Sequence, residues 1–385
     1  MSLTLPDAEY QARVARAQAA MARQDLAALL VTTEPDLRYF SGFLTRFWES
    51  PTRPWFLVIP GHGDPVAVIP GIGQALMERT WIREIRCWPA PRPGDDGISL
   101  LADTLSEVRG RGVQIGLPMG PGSHLRLPLS DYAALRAALK PLRMVSDQGL
   151  VQHLRAEKSE AEIGLIRQAC AIAGRAFARV PEVAAAGIGL DRVFRDFQRL
   201  CLEEGADWVP YLAGASGAGG YADVISPATP APLQPGDVLM LDTGLVHEGY
   251  FCDFDRNYSV GDPSVAVRDA HARLIDATAA GFAAARPGAL ASDLHAAMTK
   301  VLGPGRTAPG RLGHGLGMQL TEGFSVLPDD REELRPGMVL TLEPCLDMGE
   351  GRIMVHEENL VIRDTGPEWL SPPSGPEIPV LEPVA

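Results

Sequence analysis

The sequence predicts an α/β domain over residues 1–150, then an α+β domain over 158–365 with an internal pseudo-twofold duplication, and a tail over 366–385. Three observations carry this. The length of 385 residues exceeds what a single core usually organises, about 250–300 residues. Short apolar runs alternate with helix-like stretches in the first part, the pattern of a mixed sheet covered by helices. The order helix–helix–strands then occurs twice, about a hundred residues apart.

The elements follow in turn. Residues 8–24 have helical character and lead into an apolar strand at 26–31. Apolar runs at 55–59 and 66–69 flank Gly61-His62-Gly63, a hairpin signal. A further strand is expected at 113–117. Gly110-Arg111-Gly112 lacks the third glycine and flanking context of a dinucleotide fingerprint and reads as a loop. A boundary falls within 147–158. Ser159 and Glu162 then have capping-box spacing ahead of Ile163, Ile166, Ala169 and Cys170 at helical period. Leu190, Val193, Phe194, Phe197 and Leu200 mark a second helix, and strands run to about residue 260. Helices at 265–285 and 291–302 and strands at 312–363 repeat the order. The Pro-rich tail is expected to run over the surface.

Composition narrows the function classes. The chain is 46% hydrophobic and 22% charged, too apolar for global disorder. A net charge of −13 excludes a general nucleic-acid binder, which needs a basic face. The five cysteines, at 87, 170, 201, 252 and 345, form no CxxC pair, so a reducing, cytoplasmic setting is expected in place of a disulfide framework. The amino terminus has no apolar signal-peptide core, and no run of ~18 apolar residues predicts a membrane span.

The chemistry concentrates on acids in the apolar strands of the second domain. Asp237-Val238-Leu239-Met240-Leu241-Asp242 is a strand ending in a carboxylate, and Tyr250-Phe251-Cys252-Asp253-Phe254-Asp255-Arg256 is the next. Strand–turn–strand sets Asp242 beside Asp253 or Asp255, where like charges repel unless a cation neutralises them. Met338-Val339-Leu340-Thr341-Leu342 is another apolar strand, ending at Glu343-Pro344, and a strand over 352–362 carries His356, Glu357 and Glu358 in its middle. Buried acids of this kind are costly unless paired or metal-bound. Gly313-His314-Gly315-Leu316-Gly317 adds an imidazole with little steric cover. Hard carboxylates with one imidazole suit Mn²⁺, Co²⁺, Fe²⁺ or Zn²⁺. Five protein ligands, some bridging, suffice for two ions.

Together these motifs resemble the pita-bread metallohydrolases: methionine aminopeptidase, aminopeptidase P, prolidase and creatinase. The resemblance rests on Leu241-Asp242-Thr243-Gly244, Gly249-Tyr250-Phe251-Cys252-Asp253, Gly313-His314-Gly315-Leu316-Gly317, Leu342-Glu343-Pro344 and Glu357-Glu358-Asn359, five motifs in order. It implies a creatinase-like amino-terminal domain and a pita-bread catalytic domain. It assigns one metal to Asp242 and the other to His314 and Glu343, with Asp253 and Glu357 bridging. Spacing alone leaves Asp253 or Asp255, and Glu357 or Glu358; the resemblance favours the first of each pair. It also implies two divalent ions, Mn²⁺ foremost, a proton-shuttling role for Glu343, and a homodimer.

Peptidases of the family carry two further histidines that hold substrate and stabilise the tetrahedral intermediate. Here the stretch matching the first reads Asp223-Val224-Ile225-Ser226, and Thr321 stands seven residues after His314, where the second belongs. Loss of such a donor costs ~10²–10³ in rate.

The expected activity is hydrolysis of an amide C–N bond in a small peptide, of the Xaa-Pro aminopeptidase or dipeptidase type. The alternatives are creatinase- or ectoine-hydrolase-like action on a non-peptide metabolite, and peptide binding without catalysis. Thr321, Tyr221, His356 and Arg256 are the candidates for substrate contact. Against this, His356 alternates away from Glu357, favouring a supporting role, and Arg256 has Asp253 or Asp255 to pair with. The aromatic loop 45–50 is either a solvated loop or one that reaches a partner subunit's active site.

Overall fold

The computed structural model describes residues 5–49, 54–307 and 310–382. Ser50, the last residue of the aromatic loop, lies outside them. The chain divides into two compact units, 1–155 and 156–385.

The first unit holds α1 (Asp7–Arg23), β1 (Ala28–Val31), α2 (Glu34–Ser41), β2 (Phe56–Pro60), β3 (Val66–Pro70), α3 (Gln74–Met77), β4 (Glu84–Trp88), α4 (Ile98–Val108), β5 (Gln114–Leu117), α5 (Leu129–Ala138) and β6 (Arg143–Ser146). Its sheet has six strands in the order β4-β3-β2-β1-β5-β6. β1 runs antiparallel to β2 and parallel to β5, so the mixed sheet expected from alternating elements forms. Leu30, Phe56, Val58 and Val68 meet Leu101 and Leu105 of α4 in one core. The unit ends at Arg155, one residue before the end of α6 (Leu150–Ala156), and the buried Arg155–Asp36 ion pair, 2.6 Å, ties this helix to α2.

The second unit begins at α7 (Glu160–Ala178). Its capping box is complete: Ser159 Oγ accepts from the Glu162 amide and Glu162 Oε2 from the Ser159 amide, satisfying two helix-terminal donors. α8 (Leu190–Glu203) follows, then β7 (Trp208–Ala218), β8 (Asp237–His247), β9 (Tyr250–Phe251) and β10 (Phe254–Val260). After α9 (Val265–Ala284) and α10 (Ala291–Leu302) come β11 (His314–Gly315), β12 (Glu322–Ser325), β13 (Val339–Leu342), β14 (Cys345–Gly349), β15 (Arg352–Val355), β16 (Glu358–Arg363), β17 (Gly366–Trp369) and β18 (Val380–Leu381). One sheet is ordered β18-β10-β8-β7, with β9 on β8, and the other β12-β11-β13-β16-β17. The helix–helix–sheet order thus occurs twice. Val238 and Met240 of the first sheet share a core with Leu340, Leu342, Leu360 and Leu274 of the second half.

The segment after 365, expected on the surface, instead enters the sheets: β17 pairs with β16, and β18 with β10. Two strands expected to be continuous are broken. The chain leaves the ladder between β9 and β10 at Cys252–Asp253, and between β15 and β16 at His356–Glu357. β15 pairs with β14, whereas β16 pairs with β13. Among the described residues no helix is long and apolar enough to cross a membrane.

Candidate metal centre

The two strand breaks hold carboxylates. A backbone amide that leaves a ladder needs another acceptor when buried, and side chains supply it. The Asp253 amide donates to Asn359 Oδ1 at 2.9 Å, and the Glu357 amide to Asp255 Oδ1 at 2.8 Å. Each break therefore turns its carboxylate out of the pleat without orphaning the main chain.

His314 arrives on β11 between β12 and β13. The approach is close enough to demand glycine on either side. A Cβ on Gly313 would lie 2.2 Å from the Thr341 carbonyl oxygen, and one on Gly315 2.2 Å from that of Glu322. His314 is buried, and its Nδ1 lies 2.9 Å from the Gly315 carbonyl. A carbonyl only accepts, so Nδ1 carries the proton and Nε2 keeps its lone pair. Burial lowers the His314 pKa, and the Arg311 charge adds to that against the opposing pull of Glu343. The imidazole is thus neutral, the form that binds cations.

Asp253, His314 and Glu357 present ligand atoms that all lie within 4.8 Å of one another. His314 Nε2 is 3.2 Å from Asp253 Oδ2 and 3.8 Å from Glu357 Oε1. Asp242, on β8, stands directly across the ladder from Asp255, and its Oδ2 accepts from the Tyr211 hydroxyl at 3.1 Å. Glu343 follows β13, its Oε1 accepting from Arg311 Nε at 2.9 Å. Burial, then the charge of neighbouring acids, holds the Asp242, Asp253 and Glu357 carboxyls well above the usual carboxylate range. Among the described residues, Asp242 Oδ1, Asp253 Oδ1 and Glu357 Oε1 are buried without a hydrogen-bond partner. The Asp253 and Glu357 carboxylates gathered at a neutral imidazole nitrogen, with oxygens left unsatisfied, fit a hard divalent cation.

The candidates for substrate contact fare differently. Tyr221 is buried; its hydroxyl donates to Asn257 Oδ1 at 3.1 Å and accepts from the Val355 amide at 2.7 Å. It braces two strands. His356 is buried between Asp255 (Nδ1, 3.4 Å) and Glu358 (Nε2, 3.3 Å). Burial lowers its pKa, but these two carboxylates outweigh that and raise it. Arg256 lies over the Phe254 ring and reaches Glu358 and the Pro372 carbonyl. The Tyr221 hydroxyl and the Arg256 guanidinium are engaged inside the framework, while His356 Nδ1 is buried without a hydrogen-bond partner among the described residues. Thr321 alone is exposed, and its Oγ1 accepts from Arg311 Nη2 at 3.3 Å.

Arg311, which bridges Thr321 and Glu343, belongs to none of the motifs that mark the site. Its only sequence signal is its place three residues before His314. Tyr211 likewise stands outside the motifs, whereas Asn359 belongs to the last of them, Glu357-Glu358-Asn359, without its contact to Asp253 being readable there.

The arrangement is that of a metal-dependent hydrolase. A model described as "Metallopeptidase family M24" matches residues 164–364, and one for the "Creatinase/Prolidase N-terminal domain" matches 13–156. A probable dipeptidase PepE of Mycobacterium tuberculosis is 31% identical over 365 residues, 92% of each chain. An Xaa-Pro dipeptidase of Pyrococcus horikoshii is 24% identical, over 91% of this chain and 94% of that one. The crystal structure of dipeptidase PepE from Mycobacterium ulcerans superposes with a TM-score of 0.83 at 28% identity, covering 98% of this chain and 99% of that one. The chain belongs to metallopeptidase family M24, with a creatinase-type amino-terminal domain.

Proposed function

We propose that this protein is a dinuclear metal-dependent hydrolase of the Xaa-Pro aminopeptidase or dipeptidase type, cleaving the amide bond of a small peptide. The carrying observation is the buried trio Asp253, His314 and Glu357, whose ligand atoms lie within 4.8 Å of one another and whose Asp253 Oδ1 and Glu357 Oε1 have no hydrogen-bond partner among the described residues. Asp242, Asp253, His314, Glu343 and Glu357 would hold the ions. Four carboxylates and one imidazole favour Mn²⁺, with Co²⁺, Zn²⁺ or Fe²⁺ as substitutes. When bound, such ions supply Lewis acidity toward a carbonyl and lower the pKa of water.

The chain's own groups supply the rest. The Glu343 side chain is 20% exposed, against 4% for Asp253 and Glu357. It is the group that takes a proton from the attacking water and returns it to the departing nitrogen. Arg311 fixes its orientation through Oε1. Tyr211 holds Asp242. The names borne by the relatives support a dipeptide substrate, and the family resemblance supports a homodimer working in the cytoplasm.

A second reading is favoured by one observation. Neither Thr321 nor the stretch at 223–226 offers an imidazole, and Thr321 is engaged with Arg311. A small non-peptide amide or amidine, of the creatine or ectoine kind, needs fewer contacts than a peptide. A panel of Xaa-Pro dipeptides, longer proline peptides, creatine and ectoine, run with added Mn²⁺, separates the two. Turnover of Xaa-Pro dipeptides is expected. Turnover of creatine or ectoine alone would move the substrate class. No bound metal and no activity with Mn²⁺, Co²⁺ or Zn²⁺ would sink both readings.

A further inference from the structure

Behind Glu357 runs a polar chain that the proposed reaction does not use. Asp255 Oδ1 accepts from the Glu357 amide at 2.8 Å and faces His356 Nδ1 at 3.4 Å. On its other side His356 Nε2 lies 3.3 Å from Glu358 Oε1. Glu358 accepts from the Ser371 hydroxyl and, at 2.8 Å, from the Ser374 amide, and pairs with Arg256 at 3.1 Å. Arg256 in turn donates to the Pro372 carbonyl. Asp255, His356 and Glu358 are each 1% exposed.

Burying alternating charges in this way is a poor route to stability, since apolar residues of similar volume usually do as well or better. What the chain does supply is geometry. Glu357 sits where β15 leaves one sheet and β16 enters another, so no ladder carbonyl takes its amide; Asp255 does. The far end of the chain grips residues 371–374 through Glu358 and Arg256. Groups that orient a ligand from behind commonly change metal affinity by about 10–100-fold when removed.

We infer that Asp255, His356 and Glu358 are positioning residues that fix the Glu357 backbone, tie it to the carboxy-terminal segment 371–374, and thereby set the affinity of the metal centre. This rests on the metal-dependent reading above.

The test is calorimetric titration of the full chain, stripped of metal, with Mn²⁺, alongside metal-free thermal midpoints. Asp255→Ala removes both acceptor and charge and is expected to weaken Mn²⁺ binding by about 10–100-fold. Asp255→Asn keeps an oxygen for the Glu357 amide and is expected to recover most of that loss. Ser371→Ala, which removes the donor to Glu358 and also the acceptor of the Asn359 amide at 2.8 Å, is expected to weaken binding by roughly threefold or more, the effect of one or two modest hydrogen bonds. A lowered thermal midpoint with unchanged Mn²⁺ affinity in Asp255→Ala would make the chain a mere strut and overturn the inference. Asp255→Asn as weak as Asp255→Ala would overturn it too, because the charge itself would then act on the ions. Unchanged affinity in Ser371→Ala would remove the link to the carboxy-terminal segment. A wild-type chain that binds no Mn²⁺ would instead defeat the metal-dependent reading, a result distinct from the other three.

Discussion

Asn359 grips Asp253 at both ends of its backbone: Oδ1 accepts from the Asp253 amide at 2.9 Å, and Nδ2 donates to the Asp253 carbonyl. The amide side chain thus stands in for the strand that is missing at this break. Asn359→Ala leaves a buried donor and a buried acceptor without partners, each costing about 1–3 kcal/mol. A loss of about 2–4 kcal/mol in denaturant unfolding is expected, together with weaker metal binding. A variant that unfolds like wild type would show that the two bonds are not needed.

Arg311 joins Glu343 to Thr321 from a half-open position, its side chain 36% exposed. Arg311→Ala should therefore cost little stability, because solvent already screens much of the pair. It should cost activity, with kcat reduced at least tenfold at an effect of about 1.4 kcal/mol. Arg311→Lys keeps the charge but loses the two-pronged geometry and should recover only part of the rate. Equal kcat in all three proteins would remove Arg311 from the reaction.

His271 gives a pH prediction away from the ligands. It is buried, faces the Gly375 carbonyl at 3.2 Å and lies edge-on to His356 at 6.3 Å. Burial, then the His356 charge, pulls its pKa down from 6.5 to about 4. The fold therefore favours the neutral ring. Its contribution is intact above pH 6.5 and is lost as pH falls toward 4, up to about 3 kcal/mol. His271→Gln keeps a donor for Gly375 and should flatten stability between pH 6.5 and 4 relative to wild type. Parallel curves would refute the assignment.

Chelation carries its own pH signature. In the metal-free chain the Asp242, Asp253 and Glu357 carboxyls are raised well above the usual range, by burial first and mutual repulsion second. Raised acids contribute stability that is full below the unfolded pKa near 4 and is lost as pH rises toward their folded values. The stripped protein should lose melting temperature on going from pH 5 to 8, while the Mn²⁺-loaded protein should not. A gap between the two forms that stays constant with pH would contradict this.

Much of this was legible in the sequence, for identifiable reasons. The Ser159–Glu162 cap is a local signal and forms as spaced. The alternation of short apolar runs and helices marks the first sheet because each buried strand reads Val/Leu/Ile-rich. The convergence of Asp253, His314 and Glu357 follows from ordered motifs that no single residue would reveal. Periodicity, however, cannot see a side chain replacing a ladder bond, so residues 250–256 and 352–362 read as unbroken strands. It is equally blind to how a polar group is satisfied. Tyr221, His356 and Arg256 look available as letters, yet their partners Asn257, Asp255 and Glu358 come from other strands. Arg311 escaped because an arginine beside a glycine-rich turn is ordinary until Glu343 arrives from 32 residues away.

The division of the donors between the two sheets has a consequence for the chain's topology. Asp242 and Asp253 come from one half of the repeated architecture, and His314, Glu343 and Glu357 from the other. Neither half, expressed alone, would carry the full set. An ion held jointly by Asp253 and Glu357 would also clasp positions 104 residues apart, closing a long loop as a disulfide does and shrinking the freedom of the unfolded chain. In this protein such a cation would be a staple between two halves as well as a reagent.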